Sequence, residues 1–228
     1  MNRKIKLLSI IILSCSIFFI YKNVDKKILI LNIGDSISLG INSFGIKEYS
    51  PVDYYKDYLI SQQKKVFLNN NYSRKDITIK ELKERIENTS KIKKNLIESH
   101  ILFLSLGYND IIYETTLEEE MNENKTKKII EKIKSNYENL LKEIRKYYKN
   151  RIVIIGIHES NLDNYYIKKS IREINKYLEN NNNNIVYINT NHILNSHNDY
   201  YSNPNNSFPN FLGYRKIAKN IIKSLENK

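Results

Sequence analysis

Polar residues suited to acyl-transfer chemistry follow two of the apolar runs in this sequence. Gly34-Asp35-Ser36 comes directly after Ile28–Ile33, and Gly107-Tyr108-Asn109-Asp110 comes directly after His100–Leu106. A serine at the start of a helix is a candidate nucleophile, because the helix N-terminus favours negative charge. A side-chain amide such as that of Asn109 can donate to the oxyanion that forms when a carbonyl group is attacked. The two motifs together indicate a serine site that acts on a carbonyl group.

The elements that must position these residues form an alternating pattern. Five apolar runs predict strands covered on both faces, as in a parallel sheet: Ile28–Ile33, Lys65–Asn69, His100–Leu106, Arg151–Ile157 and Ile185–Asn189. Amphipathic segments predict helices: Ile79–Ile92, Lys125–Lys149, Asp163–Glu179 and Phe211–Leu225. This order predicts the fold class α/β, a three-layer α/β/α sandwich with a five-stranded parallel sheet. Ligands of such sheets bind at the carboxyl ends of the strands, where Ser36 and Asn109 are expected.

A third motif, Phe208-Pro209-Asn210 followed by Gly213-Tyr214, opens the last predicted helix. In this order, the three motifs resemble those of the SGNH/GDSL hydrolase family over roughly residues 28 to 225. The resemblance implies the flavodoxin-like SGNH hydrolase fold and hydrolysis of esters on carbohydrates or lipids, with no cofactor. It also implies that Ser36 is the nucleophile and that Asn109 helps to bind the oxyanion.

The sequence departs from the family pattern at the residues that activate the serine. The family's last motif reads Asp-x-x-His-Pro-Asn, and its Asp and His complete the triad. Here Phe208 occupies the histidine position, and Asn205 (or Asn206 in a shifted register) occupies the aspartate position. The segment Asn71–Arg74 also lacks the family glycine whose N–H contributes to the oxyanion hole. Because loss of the histidine lowers the turnover of subtilisin by about 10⁶, we expect impaired catalysis unless another base acts on Ser36.

Histidines that follow predicted strands are candidates for a substitute base. His158 follows the fourth strand and is the tentative choice, with His197 beside Asp199 as the second. A histidine in a loop is more often simply solvated, so both interpretations stay open. His100 begins the third strand at the opposite edge and is expected to be structural. The spacing of His192 and His197 does not support a metal site, and no metal is predicted.

Two functions agree with this pattern. The first is an ester hydrolase that uses Ser36, Asn109 and a displaced base on an ester-bearing glycan or lipid. The second is a non-catalytic relative that binds an envelope glycan, a lipid or a partner protein, because Phe208 beside the serine would dry the pocket. Tyrosines expected at this edge could stack on sugar rings: Tyr72, Tyr108, Tyr200 and Tyr201.

The N-terminal residues 1–27 are signal-like, and residues 28–228 are predicted to form the hydrolase-like domain. Basic residues flank an apolar run from Leu7 to Tyr21. As a helix this run would be roughly 22 Å long, shorter than the ~30 Å hydrocarbon core, which is borderline between a cleaved signal and a retained anchor. No small-x-small cleavage site follows it, so we expect a single-pass anchor in the cell membrane with an extracytoplasmic domain. The alternatives are secretion or a lipid anchor at Cys15, since Ile12–Cys15 loosely resembles a lipoprotein box.

The formal net charge of +12 is spread along the predicted helices. Many lysines stand next to glutamates, as on solvated helix faces, so a diffuse attraction to anionic lipid or wall polymer is expected. Nucleic acid is not predicted as a partner, because the sequence has neither zinc-finger spacing nor an aromatic RNA-binding signature. Cys15 is the only cysteine, so no internal disulfide can form.

Overall fold

The computed structural model describes residues 27–159, 164–181, 184–194, 196–200 and 208–226. The predicted apolar run, with Cys15, lies outside the described residues, as do Tyr201, Asn205 and Asn206. In the described part of the chain, no helix combines the length and the apolar character needed to cross a bilayer.

Five parallel strands form one sheet in the order β2-β1-β3-β4-β5. They are β1 (Ile28–Gly34), β2 (Val66–Asn69), β3 (Ile101–Ser105), β4 (Ile152–Ile155) and β5 (Ile185–Ile188). Each contains branched or aromatic apolar residues, and β4 is buried throughout. Gly34 pairs with Ser105, so β1 and β3 end side by side. The predicted five-stranded parallel sheet is therefore confirmed, and its two candidate motifs start at neighbouring points.

Helices cover both faces of the sheet, which confirms the three-layer α/β/α architecture. The α-helices are α1 (Ser36–Leu39), α2 (Pro51–Ser61), α3 (Ile79–Asn88), α4 (Ser90–Glu98), α5 (Tyr108–Thr116), α6 (Glu123–Tyr147), α7 (Tyr165–Glu179), α8 (Thr190–Ile193) and α9 (Phe211–Glu226). A 3₁₀ turn spans His197–Asp199. Because side chains alternate across a strand, Leu102 and Leu104 of β3 join the core under α3, α4, α6 and α7, whereas Phe103 joins the core under α2 and α9.

Two predicted helices have different limits in the structure. The helix predicted over Ile79–Ile92 is two helices, because Thr89 has extended backbone angles (φ −122°, ψ 102°). Ile86 and Ile92 are both buried, although they are six residues apart. One continuous helix would place them on different faces, so the break is what brings Ile92 into the core. The helix predicted from Asp163 begins at Tyr165, and Asp163 itself lies outside the described residues.

Candidate active site

Ser36 begins α1 directly beyond the end of β1. Asp35 caps this helix, since its side chain accepts a hydrogen bond from the N–H of Ile37 at 3.1 Å. Gly34 lies so close to β3 that an added Cβ would be 2.2 Å from the carbonyl oxygen of Ser105. Glycine therefore lets the two strand ends approach, and it sets Ser36 at the centre of the sheet edge. The Ser36 side chain is buried, with the residue 1% exposed.

Asn109 lies at the start of α5, beyond the end of the neighbouring strand β3. Its side-chain amide Nδ2 donates to the carbonyl oxygens of Lys75 at 3.0 Å and Ile77 at 3.1 Å. The Ser36 hydroxyl donates to the same Lys75 oxygen at 3.4 Å. The structure thus brings the two predicted site residues together on one carbonyl oxygen, which belongs to the protein's own backbone.

This carbonyl belongs to the loop of residues 70–78 between β2 and α3, which we call the gate loop. At its start, the Ser73 hydroxyl donates to the carbonyl of Asn32 and accepts from the N–H of Gly34. The backbone N–H of Arg74 donates to the Gly34 carbonyl at 2.9 Å. Arg74 belongs to the segment that lacks the family glycine, and its N–H is used to bind the loop to β1.

Two buried carboxyl groups lie beside the serine and the amide. Asp35 also accepts from the Ser105 hydroxyl, and burial raises its pKa to about 7 against the opposing effect of its hydrogen bonds. Both oxygens of Asp110 accept from the N–H of Ile79, the first residue of α3. Burial likewise raises the pKa of Asp110 to about 7. Asp35 is the N-cap of α1, whereas Asp110 accepts from the first N–H of α3, whose N-cap is Thr78.

Four aromatic rings form a cluster at the same edge. Phe208 lies 5.7 Å from His158 and 5.8 Å from Tyr108, measured between ring centroids. His158 is nearly parallel to Tyr108 at 5.8 Å, and Tyr200 lies 6.3 Å from His158. His158 is only 2% exposed. The predicted substitute base therefore packs directly against the phenylalanine that occupies the family's histidine position.

The remaining predicted residues have other roles or positions. Asp199 is 1% exposed and pairs with Lys216 at 2.7 Å, so an acidic partner for His197 is already engaged by a lysine. His192 is exposed on α8. His100 is structural as predicted, because its Nδ1 accepts from the N–H of Leu29 at the opposite edge. Tyr72 is buried, which contradicts its predicted role in a sugar-stacking surface, since a stacking face must be open to solvent.

Sequence reasoning missed the contribution of Lys75, because a backbone carbonyl has no signature in residue type. It also missed Ser105, whose hydroxyl supports Asp35 at the end of β3. The available signal for Ser105 was its place near the end of the third predicted strand, two residues before Gly107. The only signal for the gate loop was its position after the second strand, at the edge where the site was expected.

Comparisons with known proteins address the fold and the family of this chain. The family model GDSL-like Lipase/Acylhydrolase matches residues 30–221. The lipase Lip_vut3 from a goat rumen metagenome is similar in structure, with a TM-score of 0.74 and 17% sequence identity over 87% of this chain and 97% of that one. The acetylxylan esterase Axe2 of Geobacillus stearothermophilus gives a TM-score of 0.60 and 18% identity, over 87% and 93% of the two chains.

A family 3 carbohydrate esterase of Clostridium thermocellum gives a TM-score of 0.61 and 15% identity, over 87% and 94% of the two chains. No curated protein sequence matches this chain. At these identities the structural likeness establishes the fold, and the family model, which covers most of the chain, establishes the family. The chain belongs to the GDSL-like lipase/acylhydrolase family.

Proposed function

We propose that this protein is an ester hydrolase that uses Ser36 as the nucleophile, Asn109 as the oxyanion donor and His158 as a displaced base. Its proposed substrate is an ester-bearing glycan or lipid, and its catalysis is impaired relative to an intact triad. The proposal also places the domain outside the cell membrane on the N-terminal segment 1–27, with secretion or a lipid anchor at Cys15 as alternatives.

The observation that carries the proposal is the shared acceptor of Ser36 and Asn109. Ser36 Oγ and Asn109 Nδ2 lie 3.4 Å and 3.0 Å from the same carbonyl oxygen. An ester carbonyl in this place can therefore present its carbon to Ser36 Oγ and its oxygen to the amide of Asn109. The names of the similar structures, a lipase and an acetylxylan esterase, support an ester as the substrate class. The chemistry of this family fold needs no cofactor, because the serine supplies the nucleophile.

The proposed reaction proceeds through an acyl-serine. Ser36 Oγ attacks the ester carbonyl carbon, His158 takes the hydroxyl proton, and Asn109 Nδ2 donates to the oxygen that becomes negative. As the bond to the alcohol breaks, His158 returns the proton to the alcohol oxygen. Water, deprotonated by His158, then cleaves the acyl-serine, releasing the carboxylic acid and restoring the Ser36 hydroxyl.

Impaired catalysis follows from the aromatic cluster and from the present hydrogen bond of Ser36. Phe208 has no basic atom, and within the described residues the Ser36 hydroxyl bonds to the Lys75 carbonyl rather than to an imidazole. A base must reach hydrogen-bond distance of the proton that it removes. A site without a working triad keeps only roughly 10³–10⁴ of acceleration over water. The same observations favour the second candidate function, binding of an apolar ligand without turnover.

Labelling with a serine-reactive fluorophosphonate tests the proposal. The domain from Asp25 onward should be labelled, Ser36→Ala should abolish labelling, and His158→Gln should slow it. His192→Gln is the matched control, because His192 is an exposed histidine on α8 and should not affect the rate.

The double variant Phe208→His with Asn205→Asp separates the two candidate functions. If the unchanged domain is labelled at a measurable rate and the double variant is labelled faster, the protein is a slow hydrolase. Labelling that appears only in the double variant would reject the hydrolase and leave the binding protein.

The anchor needs its own test in cells that produce the full chain. Membrane association that survives alkaline carbonate and the Cys15→Ser change agrees with a spanning segment. Loss of association with Cys15→Ser would indicate a lipid anchor instead, and appearance of the protein in the medium would indicate secretion.

A further inference from the structure

The proposed nucleophile and the proposed oxyanion donor are both engaged by the protein's own backbone. The Lys75 carbonyl oxygen accepts from Ser36 Oγ and from Asn109 Nδ2, and the Ile77 carbonyl accepts from the same amide. A primary amide has two hydrogens, so these two carbonyls account for both. An ester carbonyl and the gate loop therefore compete for the same atoms.

We infer that the gate loop is an autoinhibitory segment whose Lys75 carbonyl must leave the site before a substrate carbonyl can enter. The inference rests on the proposed function and concerns the regulation of the same site. In the closed state described here, the Lys75 oxygen occupies the place of the substrate oxygen. In the open state, the freed hydroxyl and amide are available to the ester.

The contacts of the loop indicate which part moves. Its start is fixed by the Arg74 N–H on the Gly34 carbonyl, and its end is fixed because Asp110 binds the N–H of Ile79. The Lys75 and Asp76 side chains between these points are exposed. Ile77, by contrast, is buried in the core, and its N–H donates to the Arg74 carbonyl at 3.3 Å. Opening therefore requires the loss of the two hydrogen bonds that the Lys75 carbonyl accepts from Ser36 and Asn109, while Arg74 and Ile77 stay in place.

The accessibility of the nucleophile position provides a direct test that needs no catalysis. In the full chain in detergent micelles, with Cys15→Ser, the variant Ser36→Cys carries a single thiol, and its alkylation by iodoacetamide reports opening of the gate loop. Ser61→Cys is the exposed reference, on the solvent side of α2. Ala218→Cys is the core reference, because Ala218 is 2% exposed and a thiol at this position reacts only when the domain unfolds.

The expected result is slow alkylation of the Ser36→Cys thiol that is relieved by loosening the loop. Each net hydrogen bond corresponds to about a fivefold change in population. Asn109→Ala removes the amide bond that holds the Lys75 carbonyl, so it should speed this alkylation by roughly fivefold. The alkylation rate of the Ala218→Cys thiol should not change.

Two further substitutions, each combined with Ser36→Cys, separate the loop from the rest of the domain. Asn220→Ala is the control substitution, since it removes a side-chain amide bond to a helix carbonyl away from the loop, and it should leave the alkylation rate unchanged. Lys75→Gly, which loosens the backbone at an exposed position, should act like Asn109→Ala.

Three results would overturn the inference. The Ser36→Cys thiol could react as fast as the Ser61→Cys thiol. Asn109→Ala and Lys75→Gly could both leave alkylation of the Ser36→Cys thiol slow. They could also speed alkylation of the Ser36→Cys and Ala218→Cys thiols equally, which would indicate global unfolding. Alkylation requires neither a base nor an ester. A domain that fails to react with fluorophosphonate but shows the gated thiol would therefore refute the hydrolase and retain the gate.

Discussion

Asp35→Asn should stabilise the domain more at high pH than at low pH. Asp35 is 4% exposed, and burial is the main reason that its pKa rises from 3.8 to about 7. Well below pH 3.8 the carboxyl is protonated in both the folded and the unfolded chain. As the pH rises from about 4 to 7, the unfolded chain loses the proton while the folded chain keeps it, so the free energy of unfolding falls. Above pH 7 the free energy of unfolding has fallen by the full amount that Asp35 can cause.

The magnitude follows from the pKa shift. At ~1.4 kcal/mol per unit, the interval between pH 5 and the folded-state pKa of about 7 corresponds to roughly 3 kcal/mol. The stabilisation by Asp35→Asn should thus be larger by about that amount at pH 8 than at pH 5. The amide oxygen can accept from both Ile37 N–H and Ser105 Oγ, because both bonds go to Oδ1. Any cost of the amide that does not depend on pH cancels in the comparison.

Urea unfolding of the domain from Asp25 onward, followed by circular dichroism at pH 5, 6, 7 and 8, measures this difference. The matched control is Asp57→Asn, which makes the same change at an exposed carboxylate on α2. The test compares the free energy of unfolding of Asp35→Asn with that of the unchanged domain. The buried neutral carboxyl would be refuted if this difference stays constant from pH 5 to pH 8, or if Asp35→Asn stabilises more toward pH 5.

Three further substitutions test the contacts that shape the site and the core. Gly34→Ala should cost about 3 kcal/mol or more, because its Cβ would meet the Ser105 carbonyl at 2.2 Å; a melting temperature close to that of the unchanged domain would contradict this packing. Tyr137→Phe should cost about 1–3 kcal/mol in urea unfolding, since it leaves the buried Leu106 carbonyl without its 2.5 Å hydrogen bond, and a neutral effect would mean that water replaces the hydroxyl. Asp199→Ala should destabilise by less than the roughly 3–5 kcal/mol of a fully buried pair, because its lysine partner is 42% exposed; a loss within or above that range in thermal unfolding would contradict this.

The strands could be predicted because their apolar runs are almost uninterrupted. Residue spacing also predicted α6 and α7 within a few residues, but it could not divide α3 from α4, since the break at Thr89 depends on the core that Ile92 must reach. Helix α2 was not predicted. Its signal was local rather than periodic: a capping box of Ser50 and Asp53 around a proline at the first turn.

The site was predictable to the extent that it depends on strand ends. Ser36 and Asn109 meet because β1 and β3 are neighbours, which motif order and sheet topology together imply. The aromatic packing of His158 on Phe208 joins residues fifty positions apart, and no local pattern encodes it. The Lys75 carbonyl binds both Ser36 and Asn109 because of the direction of the backbone at this position. Almost any residue type at position 75 permits that direction, so the residue type does not reveal the contact.

Strand β1 separates the point where the chain enters the domain from the serine at the opposite edge of the sheet. Its seven residues correspond to roughly 23 Å at about 3.3 Å per residue. A protein tethered through residues 1–27 would hold the entry edge toward the bilayer and Ser36 on the far side of the domain. Acyl chains within that same bilayer would be out of reach of the hydroxyl. Ester groups on a polymer that extends away from the membrane would be within its reach. With the proposed anchor, the direction of this one strand would thus select a glycan ester rather than a lipid of the same bilayer.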